Sequence, residues 1–294
     1  MKLASTLLGL LWAVTPLSAS PVPQGGGGQS SGTGPFSPAY YTTIPALSQH
    51  TVYLPRNVPS GARLPILLWG NGACSNNGLD FQGFLTQIAS HGIFVISSGT
   101  PGGRGQTSAA LMTRGIDWVF SQEAKQRYPF LETSRIAVAG MSCGGVEAYN
   151  AGANDNRVST IGIFNSGLLS VQDSERIARN LRKPTFFFMG GQSDIAYGNV
   201  SISPFSMVLS GGERDYSYLP AGTPSWKGNL DVGHGGTYGD RDGGKFGVAA
   251  VAYFDWLLRG NAQASAFFIE GTQARQAGWK VEHKNLQNIK VTPI

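Results

Sequence analysis

Two short stretches of the chain carry residue types that together could do nucleophilic chemistry. Gly140-Met-Ser-Cys-Gly144, followed by Gly145, sets a serine between glycines directly after the apolar run Arg135-Ile-Ala-Val-Ala139. At a sharp strand-to-helix turn a serine holds its hydroxyl exposed, and the flanking glycines let backbone pack on backbone. The helix expected after it aims its N-terminus at the hydroxyl, where negative charge would develop. The plainer alternative makes Ser142 only a turn residue. Asp231-Val-Gly-His-Gly-Gly236 sets a histidine in a glycine-flanked loop. Serine needs a base to become a nucleophile, and His234 is the candidate. Among the other histidines, His91 reads as a helix-terminus residue, and His50 and His283 as packing or surface residues.

An imidazole acting as base needs a carboxylate that orients it and stabilises the imidazolium. Asp194 is the candidate, at the end of Gly190-Gly-Gln-Ser-Asp194, just after the apolar run 185–189. Asp231, three residues before His234, is the alternative and reads better as a loop-closing acceptor. A tetrahedral intermediate also needs two backbone donors aimed at its oxygen. Cys143, following Ser142, offers one; the loop Gly70-Asn-Gly-Ala-Cys74 offers the other, with Ala73 as candidate. The chain's two cysteines, Cys74 and Cys143, fall in these two segments. They are expected to form a disulfide that fixes the spacing of the donors; two buried thiols are the alternative. Asn71, Met141, Asn165 and Trp226 are the candidates for bordering the substrate.

These residues must be held by a scaffold, and the chain alternates short apolar runs with longer helical stretches. Strands are expected at 64–69, 93–97, 135–139, 160–164 and 185–189, and helices at 79–90, 108–120, 146–153, 171–181 and 246–258. Alternation of this kind predicts an α/β fold with a mostly parallel central sheet and helices on both faces. Runs that are apolar throughout fit strands covered on both sides. Ligands then bind beyond the carboxyl ends of the strands, where Ser142 and Asp194 fall. Only residues 165–184 separate the strand after the nucleophile helix from the next strand. No cap domain is therefore expected, and a large or polymeric substrate could reach the site.

The chain has 294 residues, 41% hydrophobic and 13% charged, which argues against disorder and allows a large core. Residues 1–20 read as a secretory signal: Lys2, an apolar run 7–14 too short to span a bilayer, and a small-residue exit at 18–20. A retained anchor is the alternative. Residues 21–35, rich in Gly, Ser and Pro, read as a flexible leader, and 36–294 as one domain. Asn199-Val-Ser201 is a glycosylation sequon in a chain expected to be secreted, monomeric and outside the membrane. The net charge of +5 comes from scattered residues, which gives no nucleic-acid footprint and at most a mild attraction to acidic surfaces such as cell walls. Four scattered histidines make no zinc pattern, and the chemistry calls for no cofactor.

Several of these stretches resemble the cutinase-like polyester hydrolases and dienelactone-hydrolase relatives of the α/β-hydrolase superfamily. Leu85-Thr-Gln-Ile-Ala-Ser-His-Gly-Ile-Phe-Val95 looks like their helix and following strand, and Gly140-Met-Ser-Cys-Gly-Gly145 like their nucleophile turn. Residues 184–194 resemble the acid-bearing strand and loop, and Tyr253-Phe-Asp-Trp-Leu-Leu-Arg-Gly260 the final helix. The order Ser, acid, His along the chain is also theirs. The resemblance implies an α/β-hydrolase fold, a triad of Ser142, Asp194 and His234, and hydrolysis of esters. It departs at Ala73, where those enzymes usually carry an aromatic residue, and at Cys143, where bacterial members carry methionine. A serine peptidase on the same fold, or a secreted binding protein without catalysis, are the competing expectations.

Overall fold

The computed structural model describes residues 31–197 and 211–294. The expected signal segment, residues 21–30 of the leader and the Asn199 sequon lie outside the described residues. The elements are β1 (Ala39–Thr42), β2 (His50–Pro55), β3 (Leu64–Gly70), α1 (Gln82–Ser90), β4 (Phe94–Ser98), α2 (Ala109–Val119), α3 (Gln122–Arg127), β5 (Leu131–Met141), α4 (Cys143–Gly152) and β6 (Val158–Phe164). They continue with α5 (Val171–Arg176), β7 (Thr185–Met189), α6 (Gly212–Tyr218), β8 (Ser225–Asn229), α7 (Gly244–Arg259) and β9 (Lys280–Lys284).

Among the described residues the strands form one sheet in the order β1-β2-β4-β3-β5-β6-β7-β8-β9. Strands β4, β3, β5, β6, β7 and β8 run parallel. β2 pairs antiparallel with β1 and β4, and β9 antiparallel with β8. Side chains alternate across the sheet, so each central strand feeds two cores. Leu67, Trp69, Phe186 and Phe188 pack with Phe84 and Ile88 of α1 and Phe246, Ala250 and Tyr253 of α7. Ile66, Leu68, Phe187 and Met189 pack on the other face with Met112 and Ile116 of α2 and Ala148 and Tyr149 of α4. Both faces of the sheet are covered, which is why β3 and β7 are buried at every position. α7 stops at Gly260, whose φ of 75° is the left-handed turn that closes a helix and that glycine adopts without strain.

The sequence-expected strands and helices are present, with shifted ends. The helix expected over 171–181 is shorter: α5 ends at Arg176, and a separate 3₁₀ turn follows at Ala178–Asn180. β1, β2, β8 and β9 carry no clear apolar run. β8 reads Ser-Trp-Lys-Gly-Asn yet is wholly buried, because it lies between β7 and β9. Residues 31–35, assigned by composition to the leader, are tied to α1. Thr33 N–H donates to Gln87 Oε1 at 2.9 Å, and Gly34 N–H to Ser90 Oγ at 3.0 Å.

Register brings the future site together. Gly70 pairs with Gly140, Met141 with Phe164, Phe164 with Phe188, and Met189 with Asn229. The carboxyl ends of five neighbouring strands therefore stand side by side, each followed by a loop. Among the described residues no helix is long and apolar enough to cross a membrane.

Candidate active site

Ser142 stands between β5 and α4 with φ 54° and ψ −120°, a conformation a non-glycine residue holds only when its surroundings impose it. Its N–H donates to Phe164 O at 2.9 Å, and Ser166 Oγ donates to its carbonyl at 2.5 Å. Both partners belong to β6 or its loop, so the neighbouring strand fixes the turn. The turn is also tight against β3: a Cβ on Gly144 would lie 2.1 Å from the Gly70 carbonyl, and one on Gly140 would lie 2.3 Å from Gly144 O. The glycines around Ser142 are thus required by close backbone approach.

His234 reaches this serine from the loop after β8. Its Nε2 lies 3.0 Å from Ser142 Oγ, and its Nδ1 lies 2.7 Å from Asp194 Oδ1. The carboxylate only accepts, so Nδ1 carries the hydrogen and Nε2 is left to accept from the serine hydroxyl. The Asp194 side chain is wholly buried while that of His234 is 25% exposed, so the base faces the open side of the site. Burial by itself raises the Asp194 pKa. Hydrogen bonds from His234, Ala196 N–H, Gly190 N–H and Asn165 outweigh it and hold the carboxyl below its ordinary value, so Asp194 stays ionised at neutral pH.

The loop after β3 holds Ala73 and Cys74 with positive φ of 53° and 50°. Cys74 is disulfide-bonded to Cys143, the first residue of α4, across 5.1 Å between Cα atoms. The first N–H groups of a helix have no partner within it, so the N-terminus of α4 presents donors beside Ser142. The disulfide therefore joins the two segments expected to donate to an oxyanion. Thr107 fastens the same loop, its N–H donating to Cys74 O at 2.7 Å. Thr107 Oγ1 also lies 2.8 Å from Glu147 Oε1. Burial, more than that bond offsets, raises the Glu147 pKa.

Three of the four expected substrate neighbours are fully buried. Trp226 is fully buried in β8 among Phe188, Phe268 and Trp279, because it lies inside the sheet and not in a loop. Asn71 is buried and turns inward, its Nδ2 reaching Ser75 O, Asn77 O and Ser98 O, so it shapes the loop after β3. Asn165 is buried behind the acid, 2.8 Å from Asp194 Oδ2. Met141 adjoins Ser142 and is 8% exposed; a Cβ on Gly72 would lie 2.8 Å from its Sδ.

The alternatives to the triad residues have other partners or surroundings. Asp231 is exposed and meets Ser193 at 3.5 Å. His50 is buried with Nε2 2.9 Å from Leu111 O, His91 caps the end of α1, and His283 is exposed on β9. Tyr238, four residues after His234, was not anticipated; its hydroxyl donates to Asn165 Oδ1 at 2.6 Å. Among the described residues no group of three or more His, Cys, Asp or Glu is placed to hold a metal ion. No protein-family model matches the chain, and no curated protein gives a significant match to it.

Proposed function

We propose that the chain is an extracellular serine hydrolase of the α/β-hydrolase type that cleaves carboxylic esters. The observation that carries this is the line from Asp194 Oδ1 through His234, 2.7 Å on one side and 3.0 Å on the other, to a serine hydroxyl on a strained strand-to-helix turn. Such a turn between a strand and a helix is the context that gives G-x-S-x-G its chemical meaning.

In this reading Ser142 Oγ attacks the ester carbonyl carbon as His234 Nε2 takes its proton. The tetrahedral oxyanion accepts from the N–H of Cys143 and from the loop at Ala73. The imidazolium, steadied by Asp194, then gives its proton to the alkoxide as the C–O bond breaks, leaving an acyl group on Ser142. Water then attacks the acyl carbon as His234 takes its proton, and the imidazolium returns that proton to Ser142 Oγ as the bond from the acyl carbon to Oγ breaks, releasing the acid. The connection between β6 and β7 contains only α5 and a 3₁₀ turn, which supports a site without a cap there, open to a large or polymeric ester. The disulfide supports an oxidising compartment outside the cell.

The test is hydrolysis of p-nitrophenyl esters of increasing acyl length by the mature protein beside Ser142→Ala. Activity that collapses in the variant supports the reading, and the chain-length profile then describes the acyl pocket. Equal activity in both proteins removes Ser142 as nucleophile, and cleavage of a peptide p-nitroanilide in place of esters moves the assignment to a peptidase.

A further inference from the structure

We propose that Asn165 is a positioning residue: held in one amide orientation by Tyr238, it fixes the Asp194 carboxylate against the His234 loop and so aims the imidazole at Ser142. This role deepens the hydrolase reading, and its kinetic consequences rest on that reading.

Asn165 follows β6, the strand lying between those that lead to Ser142 and to Asp194. It has a left-handed φ of 42°, is fully buried, and its N–H donates to Phe188 O at 2.7 Å. The backbone therefore delivers its side chain to one place. There Nδ2 donates to Asp194 Oδ2 at 2.8 Å and to Gly233 O at 3.3 Å, the carbonyl just before His234. One amide group thus bridges the acid and the base loops. Their backbones cross at the same point, Gly233 N–H donating to Gly190 O at 2.8 Å and Gly190 N–H to Asp194 Oδ2 at 2.8 Å.

The hydrogens in this chain have one arrangement. Asp194 and the Gly233 carbonyl can only accept, so the amide nitrogen must face them and Oδ1 must face Tyr238. Tyr238 then donates, and its burial, with the Asp194 charge nearby, raises its pKa well above the ordinary value, so the hydroxyl keeps its proton. From Tyr238 through Asn165 every donor points toward the carboxylate. The titratable groups bonded to Asn165 are Asp194 and Tyr238, with His234 one hydrogen bond beyond.

The decisive variant is Asn165→Asp, which keeps the shape and replaces the donor by a carboxyl group. With a proton shared between the two carboxyls, one O–H can still donate to Asp194; with both ionised, two like charges face each other and the bridge is lost. The hydrogen-bonded Nδ1–H of His234 is followed by proton NMR between about pH 6 and about pH 9, alongside kcat and KM for a p-nitrophenyl ester. Wild type is expected to keep the resonance across the range. Asn165→Asp is expected to lose it as pH rises and to regain it on return to low pH. In parallel its kcat should fall at least about tenfold at the alkaline end, with KM within about twofold of wild type. Tyr238→Phe, which leaves Oδ1 without its donor, should lower kcat about threefold to tenfold.

Asn165→Asp following wild type at every pH in both measurements overturns the proposal. So does a folded Asn165→Asp protein that lacks the resonance even at a pH where the two carboxyls hold a proton between them, since donation from position 165 is then not what holds the histidine. Ser142→Ala separates the two claims: it abolishes hydrolysis if the hydrolase reading holds, and it leaves the NMR signature in place. A protein inactive on all esters but showing the reversible loss in Asn165→Asp keeps the positioning role and discards the ester chemistry.

Discussion

Cys74 is bonded to Cys143, so the loop after β3 and the residue following Ser142 share a covalent link across 5.1 Å between Cα atoms. One disulfide thus spans 69 residues of chain and ends at the two segments that would bind an oxyanion. The left-handed backbone of Ala73 and Cys74 lies on one side of it and the start of α4 on the other.

Opening that bond should be felt in kcat before KM. In the Cys74→Ala, Cys143→Ala double variant we expect kcat to fall about tenfold or more, because donors to the transition state lose their spacing while ground-state contacts persist. Thermal unfolding should show a loss of about 2–5 kcal/mol from releasing the long loop. Steady-state kinetics and calorimetry of the two proteins decide it, and an unchanged kcat in the double variant would separate the disulfide from the oxyanion site.

Asp215 is expected to give the stability an acid-side slope. It is fully buried, and burial pushes its pKa up to about 6 against hydrogen bonds from Ser174, Leu168 N–H and Tyr149 and the nearby charge of Arg214. Its folded pKa lies above its unfolded one, so the native state binds more protons between about pH 4 and about pH 6. Stability therefore falls as pH rises through that window and is flat beyond it, by roughly 3 kcal/mol in the limit. Asp194 acts in the opposite sense: its depressed pKa adds stability above the unfolded value, lost as pH falls through the folded one. Urea unfolding from acid to neutral pH, wild type against Asp215→Asn, should show the falling limb only in wild type; parallel curves would refute the assignment.

Gly144→Ala should destabilise the whole turn. The added Cβ would meet the Gly70 carbonyl at 2.1 Å, and a backbone atom cannot swing aside as a flexible side chain does. A loss of about 2–4 kcal/mol is expected in chemical denaturation, with lower kcat in the molecules that remain folded. A variant as stable as wild type would show that β3 and α4 stand further apart than described.

Trp226→Phe separates core from substrate site. The ring is fully buried among aromatic neighbours on β8, so its truncation should cost roughly 1–3 kcal/mol of stability. KM and kcat should stay within about twofold, since the change lies away from the triad. A change in chain-length preference would return Trp226 to the substrate.

The sequence by itself determined the α/β alternation, because strands covered on both faces must be apolar throughout and helices packed on them must carry an apolar stripe. It also singled out Ser142, Asp194 and His234, since each follows an apolar run or sits among glycines where only special backbone is accommodated. It paired Cys74 with Cys143 from their places in two segments that had to meet, and the structure contains that bond. β8 and β9 were invisible because their burial and pairing come from neighbours distant in sequence, which a local pattern of Lys, Gly and Asn cannot express. The same holds for Trp226, a residue whose exposure depends on being in a strand or a loop. Asn165 shows the limit most clearly. Its type and position after a strand marked it as a site residue, but only strand order places β6 between the nucleophile and the acid, and only that placement turns its amide toward Asp194. Tyr238 carried no signal at all, for its hydrogen bond to Asn165 closes a distance of 73 residues that tertiary packing alone brings to 2.6 Å.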